Sequence, residues 1–178
     1  MFRHLGRLTL NHRGHSKRMN KLRRVETPEI DCLRGYLEAA QHAFIKGQYE
    51  VKLDAICFDI LAANLTDEDV VRAAYSEFNP IEHRAACSLE TMISGVHETL
   101  RLRREMWAPD FSNIPNIVEK NLLEGYWAHI KACFDYANAR IVELGSHVPF
   151  VNVGAGFTYI LYAADMSRCM LLVANVSD

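Results

Sequence analysis

Between Leu144 and Ala164 the chain runs for 21 residues without one Asp, Glu, Lys or Arg. A stretch that apolar has to be buried, so what it folds into governs the rest of the architecture. As strands, Val148 to Val153, Phe157 to Tyr162 and Cys169 to Val176 are rich in aromatic and β-branched residues, with Gly154 and Gly156 as a turn. As a helix from about Phe157, the polar residues Thr158, Asp165, Arg168 and Asn175 share one stripe, because steps of seven and three return to the same face. We prefer the helix. About 20 apolar residues would also span a membrane, but His147, Pro149, Asn152 and two glycines dilute the run and Asp165 closes it. Burial in a soluble core is expected instead.

Upstream, punctuation and periodicity favour helices. Thr27 as N-cap, Pro28 at the first helical position and Glu29 at the positive dipole end open a helix over 28–46. It carries Ile30, Leu33, Leu37 and Phe44 on one face and stops at Gly47. A second stripe, Leu53, Ile56, Cys57, Ile60 and Leu61, runs from about Tyr49 to Asn64. Thr66 followed by Asp67, Glu68 and Asp69 starts a short helix reaching Phe78. Asn79 and Pro80 open the longest one, through about Trp107, with Ile81, Ala85, Leu89, Met92, Val96 and Leu100 inward. Ala108 to Asn116 reads as a loop around Pro109 and Pro115. A last helix, about Asn116 to Leu144, buries Ile117, Leu123, Trp127, Ile130, Phe134 and Ile141 and closes at Gly145. The expected fold is mainly α: a single-domain helical bundle of about five helices over 25–178. The apolar segment 146–178 packs on it as a further helix or a small β-hairpin.

Charge divides the chain in two. The first 24 residues hold eight cations (Arg3, Arg7, Arg13, Lys17, Arg18, Lys21, Arg23, Arg24), three His and no acid. The remainder has 12 basic against 22 acidic residues, a formal charge of −10. A flexible basic arm over 1–24 can neutralise phosphates, sit on an anionic membrane, serve as an organelle address, or fold back onto its own acidic body. Met19 offers a second start, since the sequence after it leads straight into the first helix. No apolar run near the N-terminus suits a secretory signal, because Arg7 interrupts the candidate around Leu5 to Leu10. Five widely spaced cysteines without a C-x-x-C pair suggest reduced thiols in a cytoplasmic setting. Organelle targeting is the alternative if 1–24 is a presequence.

Chemistry-bearing patterns are sparse. There is no phosphate-loop, dinucleotide, nucleophile-elbow or H-E-x-x-H motif. His83, Glu90 and His97 recur every seven residues on the expected long helix, about 10.5 Å per step, too far apart to share one ion. A solvated face is expected there, and no metal. Glu38 and His42, four apart, suit an exposed ion pair, or two groups of a helical-bundle enzyme or sensor with the aromatics Tyr126, Trp127, Phe134 and Tyr159. Cys133, beside Lys131 and His129, is the least implausible thiol nucleophile. Arg101, Arg103, Arg104 and Trp107 form a second basic patch, or satisfy a helix C-terminus. The reading is a non-enzymatic binding or regulatory protein without cofactor, acting on another protein through its acidic face, the arm cations or this second patch. A nucleic-acid accessory protein using residues 1–24 is the alternative.

Overall fold

In the computed structural model, residues 157–162 and 169–175 are all buried, and they are strands. The structure describes residues 21–44, 50–107, 116–145 and 153–177, with 42–44, 50–51, 101–107, 116–119, 153–155 and 176–177 placed by backbone alone. Along the chain these are β1 (Leu22–Arg24), α1 (Pro28–Phe44), β2 (Glu50–Ile60), α2 (Asp67–Ala74), β3 (Ala85–Cys87) and α3 (Leu89–Trp107). Then come α4 (Asn116–Cys133), a 3-10 turn (Tyr136–Asn138), β4 (Arg140–Glu143), β5 (Val153–Tyr162) and β6 (Arg168–Ser177). The strands form one antiparallel sheet in the order β1-β2-β6-β5-β4-β3.

Three layers follow from the side-chain alternation. Leu53, Cys57, Phe157, Tyr159, Leu161, Met170 and Leu172 point to α1, α3 and α4, meeting Leu33, Leu37, Met92, Val96, Tyr126 and Ile130. Ile56, Phe58, Ile160, Tyr162, Leu171 and Val173 point the other way, onto Val70 and Val71 of α2 and onto Tyr75, Phe78 and Ile81. Each such side chain contributes about 1.5–3 kcal/mol by burial. A sheet covered on both faces loses the alternation of a half-exposed one and reads as continuous apolar sequence.

The expected helical bundle is therefore overturned: the fold is α+β. Within the stripe expected over 49–64, Glu50–Ile60 is strand β2, whose inward residues on both faces mimic helical spacing, and Leu61 lies past its end. The last helix ends at Cys133, where Asn138 Nδ2 donates to Asp135 at 3.0 Å, and its expected continuation is β4. The long helix begins at Leu89, because Ser88 caps it by accepting from Thr91 N–H at 3.1 Å; Ile81 lies in a connection and Ala85 in β3. The C-terminal segment is a hairpin, and Gly154 and Gly156 lie within β5: the register shifts between Val153 and Ala155, and a Cβ on Gly156 would lie 2.2 Å from the Ala174 carbonyl oxygen. The readings at 45–47, 108–115 and 148–152 lie outside the described residues.

The short helix is as expected at its start. Asp69 N–H donates to Thr66 Oγ1 at 3.2 Å and Thr66 N–H to Asp69 Oδ2 at 3.0 Å, a reciprocal capping box. Two phenols pin α2 and the segment after it to the sheet: Tyr162 donates to Asp67 at 2.6 Å, and Tyr75 to Asp54 at 2.6 Å. Burial first, and then the neighbouring carboxylate, push both phenols far up, so they stay protonated donors.

Candidate functional site

The β2–β6 ladder ends with Asp59 opposite Arg168, and Ile60 N–H donates to the Ser167 carbonyl at 2.8 Å. On the other side of β2, Arg23 of β1 pairs with Asp59. Three strands thus bring Arg23, Asp59 and Arg168 into one row. Arg23 Nη2 reaches Asp59 Oδ2 at 2.8 Å, and Arg168 Nε reaches Oδ1 at 3.0 Å. The Arg23 guanidinium foremost, with Arg168, holds the Asp59 carboxyl below its ordinary range. One carboxylate serves two guanidiniums, whose side chains are 69% and 48% exposed. Asp165, in the adjoining turn, is a second carboxylate that interacts with Arg168.

Beside the row lies the β5–β6 turn. Ala163 N–H donates to the Arg168 carbonyl at 3.0 Å, and Met166 N–H to the Ala163 carbonyl at 2.9 Å. Asp165 Oδ1 accepts from Ser167 N–H at 2.9 Å and from its hydroxyl at 2.7 Å, locking the tip. Met166 has φ of 55°, the left-handed region that suits Gly or Asn. Met166 is 43% exposed and Leu61 54%; these are the two exposed large apolar residues among the described ones. Two exposed apolar residues and two partly exposed arginines thus share this end of the sheet.

Of the residues singled out in the sequence, Lys21, Arg23 and Arg24 flank or form β1 and fold back onto the acidic body. Lys21 Nζ meets Asp69 at 2.8 Å, and Arg24 meets Glu26 at 3.2 Å, which also receives Arg34 at 3.0 Å. Arg3, Arg7, Arg13, Lys17 and Arg18 lie outside the described residues. Arg101, Arg103, Arg104 and Trp107 end α3, placed by backbone alone. His83, Glu90 and His97 do not share a helix face: His83 precedes β3, while His97 is half-buried and accepts from Trp127 Nε1 at 2.9 Å. Tyr126, Phe134 and Tyr159 are buried in packing, and Glu38 is exposed. Burial pushes the Cys57 and Cys169 thiols up to about 11 and about 12. Among the described residues no group of three or more His, Cys, Asp or Glu can hold a metal, and no helix is long and apolar enough to cross a membrane. Sequence reasoning missed Asp59, Leu61, Met166 and Arg168 as a unit. Asp-Met-Ser-Arg between two apolar runs was the available turn signal.

No family model and no curated protein matches the chain. Among solved structures, citrus MAF1 in two crystal forms is similar, with TM-scores of 0.56 and 0.53. Each match is 9% identical and covers 84% of this chain and 98% of the MAF1 chain. The likeness shows that this chain has the α+β fold of citrus MAF1.

Proposed function

We propose that this chain is a non-enzymatic regulatory protein that binds another protein through the end of its sheet. The observation that carries the reading is the exposure of Leu61, just past the end of β2, and of Met166, just before β6, at the sheet end that holds Arg23, Asp59 and Arg168. Met166 supports it further, because a left-handed backbone costs a residue with a Cβ about 1–2 kcal/mol that Gly would avoid, and the side chain kept there projects into solvent. The chemistry fits a partner segment with an apolar anchor and a carboxylate within reach of the Arg23 guanidinium, whose side chain is 69% exposed. The fold of MAF1, a regulatory protein, agrees with such a role, although the surface and not the fold carries the argument. Free thiols fit a reducing, cytoplasmic compartment.

The test is capture from native lysate by the full chain and by a Leu61→Ser/Met166→Ser double variant, with and without nuclease. A discrete protein bound by the wild type and lost by the variant, regardless of nuclease, is the expected result. Nuclease-sensitive capture unaffected by the double variant would transfer the function to the basic N-terminal residues.

A further inference from the structure

β2 is covered along only part of its outer edge. β1 pairs with it over 58–60, Val25 N–H donates to the Cys57 carbonyl at 2.9 Å, and the chain then leaves the edge to start α1 at Pro28. Among the described residues no strand pairs with 50–56 on that side, although all seven pair with β6 on the other. Hydrogen bonds near the end of β2 fix which backbone groups point outward. Ile60 N–H points to β6, at the Ser167 carbonyl, whereas Leu61 N–H meets the Lys21 carbonyl at 2.8 Å and the Cys57 carbonyl meets Val25. The β2–β6 register runs without a shift, so odd-numbered residues turn their backbone groups outward. Val51, Leu53 and Ala55 therefore offer both N–H and C=O to the open edge. Between them stand Lys52 and Asp54, on the sheet face where Asp54 receives the Tyr75 hydroxyl, with side chains 47% and 31% exposed.

We infer that this edge pairs antiparallel with the same edge of a second copy, in a two-fold register centred on Leu53, and joins two six-stranded sheets into one. The surface is separate from the proposed partner site and the inference is independent of it. Backbone direction limits the register first: an outward-facing residue has to lie opposite an outward-facing one, so the two-fold centre falls on a residue and not between two. Charge then chooses the residue. A register centred on Lys52 sets Lys52 against the partner's Lys52, and one centred on Asp54 sets two carboxylates together, both of which repel. Centring on Val51 would match Lys52 with the partner's Glu50 but engage only 50–52 of the strand. Centring on Leu53 sets Lys52 opposite the partner's Asp54 and Asp54 opposite the partner's Lys52. Leu53 is also the midpoint of 50–56, so this register uses the whole open stretch, with Leu53 facing the partner's Leu53, Val51 facing the partner's Ala55, and each outward N–H meeting a carbonyl. The charged pairs fall at the non-hydrogen-bonded positions, where facing Cα atoms are about 4.5 Å apart and side chains meet most closely. Lys52 Nζ already lies 3.5 Å from Asp54 of its own strand, so pairing gives each carboxylate an ammonium from both copies. A lysine on an edge strand ordinarily opposes sheet addition, and Asp54 two residues on makes this edge self-complementary.

The test is sedimentation equilibrium of the full chain over a range of concentrations, at low and high salt. The wild type is expected to form a dimer whose dissociation constant rises with salt. Lys52→Asp puts carboxylates opposite one another twice per dimer and should weaken dimerisation at least about tenfold, and Asp54→Lys should do the same with ammonium groups. An equimolar mixture of the Lys52→Asp and Asp54→Lys chains restores both opposite-charge pairs and should form a heterodimer where neither chain forms a homodimer. Ala55→Pro removes an outward N–H and leaves the β6 ladder whole, so it should fold and still lose the dimer. It carries the test by itself if loss of the Tyr75 hydrogen bond unfolds Asp54→Lys. A wild type that stays monomeric at millimolar concentration, a dimer that Lys52→Asp and Ala55→Pro leave intact, or folded charge variants that do not pair with each other would overturn the inference.

Discussion

The centre and the end of the β5–β6 hairpin differ in what they ask of their side chains. At the centre, Ile160 and Leu171 lie opposite one another with helices or helix-linked segments over both sheet faces, and neither is exposed to solvent. At the end, the same two strands stop being covered, and Asp165, Met166, Ser167 and Arg168 are all exposed. The centre is ordered by burial, whereas the end is ordered by an Asp–Ser turn lock and by ion pairs across β1, β2 and β6. The contrast separates what holds the molecule together from the surface proposed to meet a partner.

Changes at the centre should cost stability and change binding only by unfolding. Ile160→Ala is expected to cost about 2–5 kcal/mol by leaving a cavity in the sheet, read as a lower urea midpoint. Gly156→Ala should cost about 1–3 kcal/mol, because the new Cβ meets backbone and not a flexible side chain. Tyr162→Phe strips a carboxylate of a charge-assisted donor and should cost about 1–2 kcal/mol, with Arg84, 3.7 Å from Asp67, limiting the loss. If any of these left the midpoint unchanged, the central sheet would not be the stability core.

At the end the expected effects on stability are smaller, and one reverses sign. Met166→Gly should raise stability by up to about 1 kcal/mol through relief of the left-handed backbone while weakening partner capture. Lower stability with full capture would remove Met166 from the surface. Acid sharpens the contrast in a different way. Asp59 is held below its ordinary range by Arg23 and then Arg168, and Asp69 by Lys21 and then Thr66. A folded value below the unfolded one of about 4 means that their contribution is complete above that pH and is lost as pH falls through the folded value. Both lie near solvent, so the loss should be small. Asp59→Asn should flatten the acid limb of the urea midpoint measured from pH 7 to pH 2 and leave its neutral value nearly in place.

Local signals in the sequence survived where one element decides the outcome. Pro28 and the Thr66–Asp69 box start helices as expected, and Leu33, Leu37, Met92, Val96 and Ile130 face the core. Signals failed where the partner layer decides. Ile56, Cys57 and Ile60 fit a helical period only because β2 has apolar neighbours on both faces. Phe134 and Ile141 fit one as well, across a break at Asp135 and Asn138 that periodicity does not register. The candidate site was less legible than the fold. Leu61 looked like one more core residue, and the row of Arg23, Asp59 and Arg168 exists only because three strands distant in sequence align.

A photoreactive residue placed at position 166, compared with one at the exposed Asn121 on α4, tests the proposed binding surface most directly when both full-length chains fold with wild-type melting temperatures and are irradiated in cells. Cross-linking of one discrete protein from position 166 and none from position 121 is the expected result. Equal labelling from both positions, or labelling from 121 alone, would contradict the assignment of function to the end of the sheet.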